Sequence, residues 1–404
     1  MSYLDKLLDG VKVEWKPLGE VLVRTKGTNI TAGQMKELHK DGAPLKIFAG
    51  GKTIAFFNYD DIPLKDINRE PSIIVKSRGV IEFEYYDKPY SHKNEMWSYH
   101  SQDENISIKF VYYLLKIQEP YFKNIAGRMQ MPQISIPDTE KFKIPIPCPE
   151  NPKKSLEIQQ KIVAILDSFT ELTAELTAEL TAELKARKQQ YNYYREQLLN
   201  FDEGEVEWKT LGELTSLITK GTTPKRFTET GIAFIKTEAF DGSNINSKKL
   251  SFIDEDTHNK ELKRSILKQN DILITIAGAT IGKCAIVPKE ILPANTNQAL
   301  AIIRLNADVN LKYVFHLIKS NYLKKYIEQN IKGSAQPNLN LEQLNNFTIP
   351  YPSPEEQNRI VSILDKFDIL TNSISEGLPK EIELRKKQYE YYRDLLLTFK
   401  QQNV

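Results

Sequence analysis

Cysteine and histidine are scarce in this chain of 404 residues, with two of the first and five of the second. Cys148 and Cys284 lie far apart without metal-ligand spacing, which argues against a disulfide framework or a zinc cluster. Reduced thiols and a cytoplasmic location are the expectation. His39, His92, His100, His258 and His316 show no paired spacing, so no metal site is expected. No apolar run approaches the ~18 residues of a membrane span, and the Met1-Ser-Tyr-Leu-Asp5 opening lacks a signal-peptide core.

Catalytic motifs are equally sparse. Gly278-Ala-Thr-Ile-Gly-Lys-Cys284 has three residues between its glycines and Cys after Lys. A nucleotide-binding loop needs four, followed by Ser or Thr. The segment is better read as a turn that places Lys283 and backbone amides near a DNA phosphate. Glu14-Trp-Lys16 and Glu207-Trp-Lys209 have a Glu-x-Lys form but no upstream acidic partner. Their tryptophans are expected to pack on neighbouring helix ends. Asn345-Asn-Phe-Thr-Ile-Pro-Tyr351 lacks the adjacent prolines of an amino-methyltransferase signature, and no Gly-x-Gly cofactor loop follows a strand. No nucleophile–base set specifies chemistry.

What the chain does have is itself, twice. Val13-Glu-Trp-Lys-Pro-Leu-Gly-Glu20 recurs as Val206-Glu-Trp-Lys-Thr-Leu-Gly-Glu213, and Lys26-Gly-Thr28 as Lys220-Gly-Thr222. Gly127-Arg-Met-Gln130 recurs as Gly333-Ser-Ala-Gln336, and Ile144-Pro-Ile-Pro-Cys-Pro149 as Ile349-Pro-Tyr-Pro-Ser-Pro354. Ile162-Val-Ala-Ile-Leu-Asp-Ser-Phe169 recurs as Ile360-Val-Ser-Ile-Leu-Asp-Lys-Phe367. Arg187-Lys-Gln-Gln-Tyr-Asn-Tyr-Tyr-Arg195 recurs as Arg385-Lys-Lys-Gln-Tyr-Glu-Tyr-Tyr-Arg393. This is one tandem duplication, not a short solenoid repeat. Tyr3-Leu-Asp-Lys-Leu-Leu8 resembles Tyr194-Arg-Glu-Gln-Leu-Leu199, so the N-terminal turn is expected to pack beside the C-terminal helix.

The repeats predict four segments: heads over 1–155 and 206–354, and helices over 156–205 and 355–404. Their net charges are +3 and +5 for the heads against −5 and −1 for the helices. That alternation fits two anion-facing modules on a scaffold that does not face an anion. Within the heads, Ile47–Phe57 reads as two strands around a Gly-Gly-Lys turn. Ser72–Gly79 reads as a buried strand ending in a basic turn, and Ile81–Tyr86 alternates like a strand. Asn105–Gln118 and Leu311–Gln329 read as helices, and Asp271–Ile276 as a buried strand. The helix from about Leu156 to Phe201 has no Gly or Pro, and at that length it calls for a coiled-coil partner. Its counterpart near the C-terminus contains Gly377 and Pro379, which should kink or break it.

Candidate DNA contacts are the basic or amide-bearing turns, because Arg and Lys pair with guanine edges and Asn and Gln with adenine edges. In the first head these are Lys26, Gly51, Lys52, Lys76, Arg78, His92, Lys93, Arg128 and Gln130. In the second they are Lys220, Thr222, Thr223, Lys225, Arg226, Lys236, Thr237, Thr280, Lys283, Asn297, Gln298 and Gln336.

Between the heads lie three tandem Thr-Ala-Glu-Leu units, ending at Leu184. Their stripe Leu172, Leu176, Leu180, Leu184 maps without a gap onto Leu370, Ile374, Leu378, Ile382. Each unit adds ~6 Å and a net ~40° on an α-helix, a rotation close to the roughly 34–36° of one DNA base pair. The array therefore reads as a ruler. A four-residue spacing exceeds the helical 3.6, so the stripe drifts around the helix.

With these motifs in view the chain resembles the specificity subunit of a type I restriction–modification system. The resemblance rests on the duplicated Gln-Tyr-x-Tyr-Tyr-Arg helix ends, the Ile-Val-x-Ile-Leu-Asp-x-Phe helix starts, the Lys-Gly-Thr-Thr-Pro224 opening, the turn ending at Lys283 and the Thr-Ala-Glu-Leu array. It covers the whole chain and points to the branch with such arrays. It implies two α/β (α+β) target recognition domains in tandem, separated by two long antiparallel coiled-coil helices with pseudo-two-fold symmetry. Each head would read half of a bipartite, asymmetric site on double-stranded DNA. Two adenine-N6 methyltransferase (modification) subunits and the restriction/translocase subunits would dock on the scaffold, with no membrane partner. S-adenosylmethionine, ATP and Mg would belong to those subunits, and none to this chain, which would be non-catalytic. Two other readings compete: a self-contained methyltransferase or nuclease, and a coiled-coil adaptor whose heads bind protein.

Overall fold

The entry and exit of each repeat are bound to one another. In the computed structural model, strand Val13–Pro17 pairs antiparallel with Lys143–Pro147, setting Trp15 opposite Pro145. Strand Glu207–Thr210 pairs in the same way with Thr348–Tyr351, setting Trp208 opposite Pro350. Proline lacks an amide donor and suits a two-stranded ribbon, where one edge has no neighbour to bond. The structure describes residues 3–127, 131–202, 204–278, 280–330, 338–373 and 376–400. It divides into two compact units, Met1–Thr177 with Leu384–Val404, and Ala178–Glu383.

The first unit holds two sheets. A four-stranded sheet runs Val23–Thr25, Trp97–His100, Ser72–Lys76, Glu82–Tyr86 across its face, all neighbours antiparallel. A three-stranded sheet centres on Leu45–Phe48, antiparallel to Ile54–Phe57 and parallel to Tyr90–His92. Ser72–Val75 is wholly buried, as a run of β-branched residues closed by a basic turn predicts. Helix Ile108–Ile117 lays Phe110, Val111, Leu114 and Leu115 into the main core with Ile158, Ile162 and Leu166. Leu4, Leu396, Leu397 and Phe399 join that core, and Lys400 lies 3.6 Å from Asp5. The N-terminal turn thus packs beside the C-terminal helix, as its sequence suggested.

The second unit repeats this topology in its two main sheets and adds a two-stranded ribbon, Phe240–Asp241 with Asn244–Ile245. Its larger sheet runs Thr215–Lys220, Leu300–Leu305, Ile272–Thr275, Cys284–Ile286. Its smaller one centres on Ile232–Ile235, antiparallel to Ser251–Ile253 and parallel to Ala294–Thr296. One expected element is different. The segment Leu311–Gln329 forms two helices, Leu311–Ile318 and Asn321–Asn330. Ser320 divides them: its hydroxyl bonds the Leu317 carbonyl at 2.6 Å and accepts from the Tyr322 N–H at 3.2 Å, so it closes one helix and opens the next.

The uninterrupted helix spans Pro152–Leu198, four residues earlier than the periodicity suggested, because Pro is accommodated at a first helical position. Its C-terminal counterpart is broken as expected, into Pro354–Asn372 and Gly377–Leu397. Gly377 has φ +75°, and a Cβ there would stand 2.5 Å from the Ile369 carbonyl oxygen, so no other residue fits the break. The leucine stripe is only partly buried. Leu172 is half exposed, and Leu176, Leu180, Leu184, Leu370, Leu378 and Ile382 are half-buried; Ile374 lies outside the described residues. Between Leu166 and Tyr191 the long helix has no fully buried residue. In the first unit a groove of about 200 Å³ runs between the arms, lined by Leu172, Thr173, Leu176, Arg385 and Tyr389.

Candidate nucleic-acid interface

Each unit builds a rim of polar side chains on a close approach that only glycine permits. A Cβ on Gly221 would stand 2.1 Å from the Thr296 carbonyl oxygen and 2.2 Å from that of Asn297. The Thr222 N–H can therefore reach the Thr296 carbonyl at 3.0 Å. In the first unit a Cβ on Gly27 would stand 2.1 Å from the His92 carbonyl oxygen, and the Thr28 N–H donates to that oxygen at 2.8 Å. This shared contact is the physical reason for the repeated Lys-Gly-Thr.

Around Gly221 three segments converge. Buried Asn295 donates to the Leu262 carbonyl at 3.0 Å and to the Ser265 hydroxyl at 3.3 Å, and its carbonyl oxygen meets His258 Nδ1. This fixes the turn Thr257–Glu261 and the turn Lys263–Ser265 beneath the loop that carries Asn297 and Gln298. Above it the Thr223 hydroxyl donates to Gln298, and Arg264 Nη2 donates to the Thr222 hydroxyl at 3.2 Å. Arg226 pairs with Asp254 at 3.4 Å and Lys225 with Glu261 at 4.0 Å, all at the surface. Lys236 sits 4.0 Å from the Phe227 ring centroid, a cation–π contact. Lys220 is exposed and has no carboxylate partner among the described residues. Asn297 is half-buried and accepts from the Ala299 N–H at 3.2 Å through its Oδ1, and the Thr237 hydroxyl donates to Glu238 at 3.4 Å.

Thr280 and Lys283 belong to a separate turn, in which three of the amides are already engaged. The Ile281, Gly282 and Lys283 amides donate to the Gly278, Thr275 and Thr280 carbonyls at 3.3, 2.8 and 3.1 Å. They are committed to closing the turn and do not cradle an anion. The exposed Lys283 side chain remains, on a groove of about 650 Å³ with Arg195, Lys319 and Lys324. Beneath it, burial pushes the Cys284 thiol up to about 12, an inert packing sulfur.

In the first unit Lys26, Lys52 and Arg78 are exposed without a carboxylate partner among the described residues, and Gly51 supplies the positive φ of the hairpin turn. Arg78 Nε lies 3.2 Å from the Met131 sulfur. Three candidates are engaged elsewhere. Lys76 is held between Glu82 at 2.9 Å and Glu84 at 2.8 Å, and Lys93 pairs with Glu95 at 2.8 Å. His92 is fully buried beside Tyr90, and burial pushes its imidazole below the ordinary value. Arg128, Gln130 and Gln336 lie outside the described residues. Arg264 is the rim residue that motif reading missed, since it sits in a one-turn helix and not in a Gly- or Pro-marked loop.

Each rim is anchored to the scaffold by a repeated clamp. In the first unit Tyr113 donates to Asp167 at 2.6 Å and Lys109 pairs with it at 2.7 Å. In the second, His316 Nε2 meets Asp365 at 2.8 Å, with Lys312 at 3.7 Å and Lys319 on Asp368 at 2.8 Å. The His316 hydrogen bond holds the Asp365 carboxyl below the usual range. Phe169 packs on Tyr392 at 5.9 Å in one unit, and Phe367 on Tyr194 at 5.7 Å in the other. No helix of the described residues is long and apolar enough to cross a membrane.

A duplicated pair of α/β heads, each clamped to a helical scaffold and each bearing a polar rim, defines a two-headed recognition protein. The model of the type I restriction modification DNA specificity domain matches residues 20–186 and again 203–384. The chain is 39% identical over 99% of its length to the type I restriction enzyme EcoR124I/EcoR124II specificity subunit of Escherichia coli, covering 97% of that protein. It is 34% identical over 93% of its length to the EcoprrI specificity subunit of the same species, covering 92% of it. A solved chain described under complex assembly and conformational transition of the type I R-M system shares the fold. The TM-score is 0.60 at 15% identity, over 95% of this chain and 97% of that one. The chain belongs to the family of type I restriction–modification specificity subunits, the non-catalytic members of those enzymes.

Proposed function

We propose that each unit reads one half of a bipartite, asymmetric site on double-stranded DNA, and that the helices set the gap between the halves. The observation that carries this is the pairing of one strand topology with two differently furnished rims. A common frame with divergent polar edges is what two readers of different sequences require. Residues 1–155 and 206–354 are the reading heads, and 156–205 and 355–404 the scaffold. The array ending at Leu184 supports membership of the branch whose spacer helix is built from such units.

Two copies of an adenine-N6 modification subunit dock on the repeated helix ends. Tyr193 and Tyr391 occupy equivalent positions and are each 62% exposed, beside Tyr194 and Tyr392, so the scaffold offers the same aromatic surface twice. Restriction subunits with translocase activity complete the assembly. S-adenosylmethionine, ATP and Mg are taken by those subunits, in the cytoplasm.

The test is binding and modification mapping with the chain assembled on its modification subunit. DNA affinity should fall steeply with salt, and methylated adenines should mark the two strands of one bipartite motif. Affinity that ignores salt, with no sequence-dependent methylation, would favour the protein-adaptor reading.

A further inference from the structure

Lys220 and Arg264, both on the second rim, lack a carboxylate partner among the described residues, and of these Arg264 is held by a neutral side chain. Arg264 is exposed and has no carboxylate within pairing distance among the described residues. Arg226 and Lys225, its neighbours on the rim, are each turned toward an acid. What holds Arg264 is a neutral hydroxyl, that of Thr222, at 3.2 Å from Nη2. No carboxylate occupies the guanidinium, and the remaining donors of its fork stay available.

Its support is rigid on both sides. Thr222 is fixed by its own N–H on the Thr296 carbonyl and by the Gly221 approach. The turn that bears Arg264 is fixed from beneath by Asn295, through the Leu262 carbonyl and the Ser265 hydroxyl. A planar fork held in place by packed backbone, without a competing acid, is the arrangement that discriminates between base edges. The same fork can also clamp a phosphate, and a base profile and a salt slope separate the two. In the first unit the corresponding connection, between Ile54–Phe57 and Ser72–Lys76, carries Lys65 beside Leu64, which is 70% exposed. The same place on the shared frame thus presents a different chemistry.

We propose that Arg264 reads a guanine through its O6 and N7 edge in the half-site of the second unit, with Thr222 as its positioning residue. This rests on the DNA-reading function proposed above. The test uses the chain assembled with its modification subunit, comparing wild type, Arg264→Ala and Arg264→Lys. Methylation is measured on a duplex library randomised at each position of both half-sites.

Both variants should lower methylation of the wild-type site about ten- to a hundred-fold. Both should relax the base requirement at one position of the second half-site and leave the first half-site unchanged. Arg264→Lys, which keeps the charge, should retain the salt dependence of wild type. Should Arg264→Ala fold poorly, Arg264→Lys carries the same test. Three results would overturn the inference: an unchanged profile, a loss equal for every base with the salt slope reduced by about one, or a change in the first half-site. If wild type itself shows no sequence-dependent methylation, the underlying function fails, and that outcome is distinct because it appears before any substitution is made.

Discussion

The two units share a strand order, a glycine contact and an aspartate clamp, yet their outer surfaces are built from different materials. In the first unit the strand pair Ser72–Lys76 and Glu82–Tyr86 carries a ladder of alternating charge. Lys46 bonds Glu84, Lys76 bonds both Glu84 and Glu82, and Lys116 links Glu82 to Glu119. In the second unit the matching strands, Ile272–Thr275 and Cys284–Ile286, carry no such ladder among the described residues, and the ion pair of Arg304 with Asp271 braces one end at 2.7 Å. The rims differ as well, with Arg264 and Gln298 on one and Lys52 and Lys65 on the other. Contacts that fix the backbone are duplicated, while contacts that face outward have diverged. This is what a frame selected to present different surfaces would show.

The shared features are where disruption should be greatest. Gly221→Ala forces a Cβ into two backbone carbonyls, and Gly27→Ala forces one into His92, so each should cost its own unit about 3 kcal/mol by overpacking. Two thermal transitions should separate, the lower one belonging to the substituted unit. A single unshifted transition would show that the approach is relaxed easily. Arg304→Ala strands the carboxylate of Asp271, which is 1% exposed, and should cost the second unit about 3 kcal/mol. Denaturant unfolding of that unit alone should report it.

Smaller effects sharpen the contrast. Tyr113→Phe and His316→Leu each remove one bond to the clamp aspartate and should cost about 1 kcal/mol apiece. Similar losses in both units would support equivalence of the clamps. Acid should weaken both units through different groups. In the first, burial works against ionisation of Glu82 and Glu84, but their lysine partners prevail and hold both below the ordinary value. In the second, the His316 hydrogen bond lowers Asp365. Carboxyls depressed in the folded state add stability above their unfolded value and lose it as pH falls through the folded one, so melting temperature should drop below about pH 4. Replacing Glu82 and Glu84 with Gln should flatten that drop for the first unit only. Smallest of all, Lys26→Ala or Lys52→Ala should weaken DNA binding without regard to sequence and reduce the salt slope by about one.

Much of this frame was legible from the repeats. The hairpin over 45–57, the buried strand after Pro71 and the break at Gly377 follow from local rules: alternation, turn glycines and a proline inside a helical pattern. The division at Ser320 was not legible, because a lone serine ends a helix only when its hydroxyl finds the carbonyl behind it. The Lys283 turn misled because its letters give no sign that its amides are already engaged. Lys76 and His92 look like surface donors in sequence, yet the carboxylates of the next strand claim the first and burial in the core the second. Arg264 became visible only when the fold set it beside Thr222, 42 residues away in the chain.

The loosely packed spacer bears on the central claim that reading and spacing are separate properties. A helix with no fully buried residue between Leu166 and Tyr191 can gain or lose a four-residue unit without breaking an interlocked core. The direct measurement is modification mapping of a chain lacking Thr181–Leu184, assembled with its modification subunit. The account predicts both half-sites unchanged and the gap between them shorter by about one base pair, matching the ~40° of one unit. An altered half-site, or an unchanged gap, would contradict it.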